Sequence, residues 1–191
     1  MDAIDAYLLS GGLPGILRAW PDGVPALRFA ERECADPASP LFGVPEAALL
    51  AEFPAPDVTR RVIEAVGGGN RTHANIAAEA GSRTGAVPSG TLTPILHRLV
   101  DDKHVLAIDG PLSVRSTKPA LYRIADTSLR FYLAMGRSAQ ELSRRGRVQR
   151  PQTLRFAGFL RTSSARSRQR RQADLGVKHS YPVSRPAVMA G

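Results

Sequence analysis

The residues best suited to phosphate chemistry are the glycines of the run Gly67-Gly68-Gly69-Asn70-Arg71-Thr72. A nucleotide-binding P-loop needs a glycine-rich turn whose backbone amides hold the phosphates, and a lysine that reaches the β- and γ-phosphates. This run has no lysine, and no G-x-x-x-x-G-K-[ST] pattern occurs in the 191 residues. The run also separates two predicted helices instead of following a strand. We therefore interpret it as a helix terminator and expect that this chain is not an enzyme.

Metal binding and nucleophilic catalysis have equally weak support. His73, His97 and His104 lack the spacing of metal ligands, and the lone Cys34 has no histidine near it. We interpret Cys34 as a small buried residue. The apolar run that ends at Asp109 mimics the strand and magnesium-binding aspartate of an NTPase, but without a P-loop it indicates a strand followed by a turn. The sequence predicts no catalytic residue, no metal site and no cofactor bound by this chain.

Two helices are predicted on either side of the glycine run. Asp57 is a suitable N-cap for the first helix, whose valines recur every four residues up to the glycines. Thr72 is a suitable N-cap for the second helix, and Gly81 suits its C′ position.

A third helix and a hairpin follow. Pro94 is tolerable only in the first turn of a helix, so we expect the cap at Thr91 or Thr93. The apolar runs 105–108 and 121–124 are predicted strands, joined by a loop from Asp109 to Pro119. Three helices and then a hairpin is the order of a winged helix-turn-helix. The predicted fold class is therefore α+β, mainly α, with a winged helix over residues 56–126.

A winged helix can contact DNA through its third helix and its wing. The candidate DNA-binding residues are the hydroxyl and basic side chains of these two parts: Arg83, Thr84, Ser89, Thr91, Thr93, Arg98, Arg115 and Lys118. Residues 56–126 contain nine Lys and Arg against seven Asp and Glu, a net charge of only +2. Because phosphate contacts supply most non-specific DNA affinity, this balance is weak support. The connection from Gly81 to Gly90 is also longer than the ~3–4-residue turn of a DNA-reading helix-turn-helix. We therefore favour a winged helix that packs against protein.

Residues 1–55 are predicted to form short helices joined by stiff turns. Eight of the 15 prolines lie in the first 56 residues. The predicted helices run from Asp2 to Leu9, from Pro25 to a break at Pro37 and Pro40, and from Pro45 to Pro54. We expect this segment to be a lid-like unit that packs on another part of the protein.

Positive charge is concentrated at the C-terminal end. Residues 1–136 carry 13 Lys and Arg against 15 Asp and Glu, whereas residues 137–191 carry 13 against only Glu141 and Asp174. Apolar residues there are sparse apart from Leu154, Phe156, Phe159 and Leu160. Such a segment cannot offset its ordering entropy, so we expect an Arg-rich tail over residues 137–191 that is disordered or at most transiently helical. It has three interpretations: a polycation that binds RNA, DNA or acidic membrane; a solvated tail without a partner; or sequence that does not belong to the protein.

Three sequence segments, taken in this order along the chain, are specific enough to compare with known families: Tyr7–Pro14 (YLLSGGLP), Asp36–Phe42 (DPASPLF) with Glu52-Phe53-Pro54, and Leu121–Tyr132 (LYRIADTSLRFY). Together, over roughly residues 3–135, the chain resembles prokaryotic ATP-binding proteins of the archaeal-type ATPase family, relatives of the AAA+ and signal-transducing NTPases. The resemblance is to the lid, the winged helix and the start of the C-terminal domain that follow the nucleotide-binding core. It implies ATP and magnesium for full-length relatives, and a place near the nucleotide for Gly12 and Pro14. From the residues alone, Pro14 is typical of a helix-breaking turn.

The expected organisation is a lid-like segment at 1–55, a winged helix at 56–126, the start of a truncated C-terminal domain at 127–136, and the tail. The expected function is that of a truncated, non-catalytic lid plus winged-helix region of an ATP-binding protein, which contacts a protein partner or DNA. The alternative is a free-standing winged-helix transcriptional regulator. Because the resemblance stops at Gly136, we hypothesise a gene fragment whose end is read out of frame, with a genuine basic tail that binds nucleic acid as the alternative.

No apolar run reaches the ~18–20 residues of a membrane span. The N-terminus is acidic where a secretory signal would be basic. We therefore expect a cytoplasmic protein without a membrane partner.

Overall fold

The computed structural model describes residues 3–54, 57–81, 85–109 and 120–145, which are mainly helical with one small antiparallel sheet. The elements in chain order are α1 (Ala3–Ser10), α2 (Pro14–Arg18), α3 (Ala26–Ala35), α4 (Pro40–Glu52), α5 (Val58–Gly67), α6 (His73–Glu79), α7 (Ser89–His97), β1 (Leu106–Asp109), β2 (Leu121–Ile124), α8 (Thr127–Phe131) and α9 (Arg137–Arg144). Two π-helical segments extend helices: Arg98–Asp102 follows α7, and Tyr132–Gly136 joins α8 to α9. The predicted α+β class with a mainly helical content is confirmed.

One hydrophobic core is formed mainly by α5, α6, α7 and the hairpin, which we call the central unit (residues 57–81, 85–109 and 120–126), and Leu49 and Phe53 from the end of α4 complete it. The valines that recur along α5 place Val62 and Val66 in this core, as their spacing predicts. In the hairpin, Leu106 pairs with Ile124 and Asp109 with Leu121. Both predicted strands are confirmed, with β1 shifted by one residue.

A second core is formed by the two ends of the described chain, which we call the flanking unit: α1 to α4 together with residues 127–145. Phe29 and Phe42 are fully buried there, and Trp20 stacks on Phe29 with ring centroids 4.1 Å apart. Thr127 Oγ1 donates a hydrogen bond to the Tyr7 carbonyl (3.0 Å), so α1 is held against the start of α8.

The π-helical segment Tyr132–Gly136 lies where the two units meet. Leu133 packs against both cores and approaches α5 so closely that a Cβ on Gly67 would lie 2.4 Å from the Leu133 Cβ. One turn further, Arg137 pairs with Glu64 of α5 at 2.9 Å. Burial opposes ionisation of Glu64, but hydrogen bonds from Arg137 and Arg60 outweigh it and lower the pKa of this carboxyl. The π-helical segment and α9 therefore join the flanking unit to the central unit.

Proline was a poor guide to helix boundaries in this chain. Pro40 does not break a helix; it occupies the first turn of α4, where Ser39 accepts a hydrogen bond from the Leu41 amide at 3.1 Å. Pro45 lies inside α4 instead of starting it. A short helix, α2, begins at Pro14, where we predicted only a turn.

The predicted cap of the third helix at Thr91 or Thr93 is wrong. Helix α7 begins at Ser89, and Pro94 lies inside it. A proline at this position removes the donor for the Gly90 carbonyl. Because Gly90 and Pro94 are both exposed, water can satisfy that carbonyl.

The prediction of disorder from residue 137 is also wrong for its first eight residues. Helix α9 covers Arg137–Arg144, with Ala139 and Gln140 buried against the flanking unit. Its order comes from this tertiary packing, which composition does not report. The rest of the predicted tail, 146–191, lies outside the described residues.

Candidate nucleic-acid interface

Helix α7 presents an exposed, uncharged face. Ser89, Thr91, Thr93 and Pro94 are exposed, while Leu92 and Leu96 on the opposite side enter the central core. The first amides of a helix have no intrahelical partner, and the first turn of α7 contains no acid. This end of α7 is therefore open to an acceptor, whether a phosphate oxygen or a carbonyl of another protein.

Helix α6 supports this face from one side. It begins at Thr72, whose hydroxyl accepts a hydrogen bond from the Asn75 amide at 3.3 Å, as the sequence predicts. Its first residue, His73, lies 3.2 Å from Thr93, measured from Nε2 to Oγ1. This contact fixes the side of α7 that faces α6.

A charged cluster ties the α5–α6 connection to the hairpin. Asp109, the last residue of β1, is paired with Arg71 and with Arg123, whose Nε lies 3.1 Å from Oδ1. Arg71 also accepts a hydrogen bond from the Tyr122 amide through its carbonyl (2.9 Å). Burial, with a smaller effect of Arg71, lowers the pKa of Arg123. An aspartate bridged by two guanidinium groups is unsuited to bind magnesium, which supports the interpretation of Asp109 as a structural residue.

Most cations of the central unit are bound within the protein. Besides the two arginines on Asp109, Arg60 pairs with Glu64, Lys103 pairs with Glu52, and Arg61 donates to the Ala80 carbonyl at 2.9 Å. Within residues 57–81, 85–109 and 120–126, Arg98 is the one Lys or Arg without an ion pair or hydrogen bond. The described surface of the central unit therefore offers few contacts to a phosphate backbone.

The sequence candidates fall into two groups. Ser89, Thr91, Thr93 and Arg98 come together along one exposed helix, although Arg98 lies in its π-helical extension. The other four candidates lie outside the described residues: Arg83, Thr84, Arg115 and Lys118. Sequence analysis did not identify Arg71 and Arg123 as the partners of Asp109. The one signal was an aspartate at the start of the predicted loop, where a strand ends.

Comparison with protein-family models, with curated proteins and with solved structures finds no match for this chain.

Of the two residues that the resemblance places near a nucleotide, Gly12 lies in the turn between α1 and α2, and Pro14 is the first residue of α2. Gly12 has a φ of +77°, which favours glycine, and the Tyr7 ring lies 3.7 Å from the position a Cβ would occupy. The preceding Gly11 packs on Ser128 at the start of α8, where a Cβ would lie 3.1 Å from Ser128 Cβ. The positive φ explains Gly12, while the close approach of Ser128 together with a φ of +61° explains Gly11.

Two further features of the described residues bear on chemistry. Burial, with a smaller effect of Glu33, raises the pKa of the Cys34 thiol to about 12, so the thiolate nucleophile does not form near neutral pH. No group of three or more potential metal ligands occurs in the part of the chain that the structure describes.

Among the described helices, none has the length and hydropathy to span a membrane.

Proposed function

We propose that this chain is a non-catalytic docking module that corresponds to the lid and winged-helix region of archaeal-type ATPases. Its winged helix packs against protein. The observation that carries this proposal is the character of the central unit: the face of α7 is uncharged from Ser89 to Pro94, and all but one of the described cations of this unit make an ion pair or a hydrogen bond with the protein. Interface cores are depleted in charge, whereas nucleic-acid interfaces are rich in free cations.

The assignment of a winged helix is part of the proposal. It is supported by the order α5, α6, α7 and hairpin, and by the hydrogen bonds that join Arg71 to β2. The connection between α6 and α7 is longer than in a DNA-reading helix-turn-helix, which agrees with a packing role.

The assignment to an ATPase lid rests on the resemblance and is supported by how its segments meet. The YLLSGGLP segment and the LYRIADTSLRFY segment contact each other through Gly11 and Ser128, and through Tyr7 and Thr127. The DPASPLF segment supplies Phe42, which packs 3.1 Å from the Cβ position of Gly136. Segments far apart in the sequence thus form one core, as a lid with a following domain requires.

Calorimetric titration of the chain against the separately purified nucleotide-binding core of an archaeal-type ATPase tests the docking function. We expect binding that Thr91→Glu on the α7 face weakens about tenfold or more, since a buried unpaired charge costs several kcal/mol. The matched control is Ala78→Glu on the exposed side of α6, which we expect to bind as the unchanged chain does. No binding, or equal loss in both variants, would contradict the proposal.

A second candidate, a free-standing DNA-binding regulator, is favoured by one observation: Arg98 is exposed and unpaired at the end of the α7 face. Fluorescence anisotropy with labelled duplex DNA separates the two functions. A base-reading Arg98 predicts a loss of ~1–3 kcal/mol on one preferred sequence in Arg98→Ala. The control Arg28→Ala removes another exposed arginine, which lies on α3 and pairs with Glu31. The docking function predicts that both variants behave alike and that any binding lacks sequence preference.

A further inference from the structure

One side of α4 is exposed and entirely apolar. The residues on this side, which we call the α4 face, are Gly43, Val44, Ala47, Ala48, Leu50 and Ala51. Val44 is 36% exposed and Leu50 is 46% exposed. A contiguous apolar patch on a helix is typical of a surface that another segment covers.

The α4 face is bordered on both sides by parts of the flanking unit. On the Val44 side lies α2, where Leu17 is exposed and the Cβ position of Gly15 is 4.0 Å from Val44 Cγ2. On the Glu46 side lies α9, whose Gln140 Nε2 donates to Glu46 Oε2 at 3.2 Å. The α4 face is therefore a strip with helical edges.

The same chain continues from the edge of this strip. Arg145 follows Gln140 by five positions, just past the end of α9, which corresponds to a helical rise of about 8 Å. Nine more residues lead to Leu154, and an extended chain of that length spans about 30 Å. Residues after Arg145 therefore start close enough to reach every part of the α4 face.

Hydropathy matches these two partners, whereas charge does not distinguish them: the flanking unit, residues 3–54 and 127–145, contains eight Asp and Glu against seven Arg. Residues 146–191 form a basic segment with ten Lys and Arg against Asp174 alone. Within that basic segment, four large apolar residues cluster in 154–160: Leu154, Phe156, Phe159 and Leu160. A tethered segment also acts at a high effective concentration, so it outcompetes a free partner of equal affinity.

We propose that the segment Leu154–Leu160 docks on the α4 face of its own chain, with its apolar side chains on Val44 and Leu50. This inference is independent of the proposed docking function of α7. It assigns the basic C-terminal segment an intramolecular site.

Thiol reactivity in the full-length chain tests the proposal. Ala47→Cys introduces a thiol in the middle of the α4 face, and Cys34 does not interfere because burial raises its pKa to about 12. We expect the new thiol to react with a maleimide about tenfold faster when Phe156→Ser and Phe159→Ser are also present, which corresponds to a face covered about nine-tenths of the time. Ala48→Cys is the second probe if Ala47→Cys lowers the helical circular dichroism.

Two matched controls separate docking from a general effect. Tyr181→Ser with Val183→Ser removes apolar side chains elsewhere in the same basic segment, and we expect it to leave the Ala47→Cys thiol slow. Ala78→Cys places a thiol on the exposed side of α6, and its rate should not depend on Phe156 or Phe159. The proposal is overturned by an equal rate with and without the two phenylalanines. It is also overturned if protection falls on dilution, because the occupant would then be a second copy of the chain.

Discussion

The contact between Gly67 and Leu133 predicts that one common helix substitution is destabilising at this position. Gly67 is the last residue of α5, and a Cβ there would lie 2.4 Å from Leu133 Cβ and 2.7 Å from its Cδ1. The nearest atom is attached directly to the backbone, so a rotamer change of Leu133 cannot relieve the overlap. Gly67→Ala therefore forces α5 and the π-helical segment apart.

The expected magnitude follows from two opposing effects. Replacing glycine by alanine in a helix stabilises it by about 0.8–1.0 kcal/mol. Adding a methyl group to a tightly packed site costs about 1–3 kcal/mol, and the backbone-attached obstacle places this site in the upper part of that range. We expect a net loss of about 1–2 kcal/mol in the free energy of unfolding of Gly67→Ala.

Urea unfolding followed by circular dichroism measures this loss. The control is Gly90→Ala in α7, where nothing lies within 4 Å of the Cβ position, and we expect a gain of about 0.5–1 kcal/mol. The same chemical change should therefore have opposite signs at the two positions. If Gly67→Ala stabilises the protein as Gly90→Ala does, the close approach of α5 to Leu133 is refuted.

Three further predictions concern single contacts. Thr72→Ala should lower the free energy of unfolding by about 1 kcal/mol because it removes a side-chain cap. Asp57→Ala should have little effect, since Asp57 makes no side-chain cap bond. Urea unfolding of both variants measures the two effects, and equal losses would contradict this prediction. Asp109→Asn should cost about 2 kcal/mol, because two half-buried arginines lose their shared anion; unchanged urea stability would show that the cluster contributes nothing. Because the pKa of Glu64 is lower in the folded state than its ordinary value of 4.5, the ionised carboxylate should stabilise the fold at pH values above 4.5. This contribution should be lost as the pH falls through the lower folded-state pKa. Arg137→Ala should flatten that acid limb of a stability–pH curve, and an unaltered limb would refute the assignment.

Local patterns predicted the elements that do not depend on distant partners. The valine repeat and the cap at Thr72 identified α5 and α6, and both short strands followed from alternation. Helix α9 was missed because its order depends on burial of Ala139 and Gln140 against helices from the other end of the chain. The predicted starts of α4 and α7 were wrong because of Pro40 and Pro94. A proline is found both where a helix breaks and in the first turn of a helix. It can also lie inside a helix where the carbonyl that loses its hydrogen bond is exposed to water.

The candidate site was predictable only in part for a related reason. The exposed hydroxyls of α7 follow from helical periodicity once the helix is placed. The pairing of Arg71 with Asp109 joins residues 38 positions apart, and no local signal distinguishes a bound arginine from a free one. A count of Lys and Arg in the sequence therefore does not tell how many cations are available on the surface of the central unit.

The flanking unit has its two halves at opposite ends of the described chain, and this affects how the protein folds. Thr127 and Tyr7 are 120 positions apart, so their contact closes a long loop, whereas the buried residues of the central core all lie between Leu49 and Ile124. The entropy cost of closure rises with the logarithm of loop length. During synthesis the buried residues of the central core leave the ribosome before α8 does, and a compact central unit would hold the two halves of the flanking core closer together than a random coil would. The core of α1 to α4 is therefore expected to close last, because it needs Phe131, Tyr132 and Ala139 from the end of the described chain.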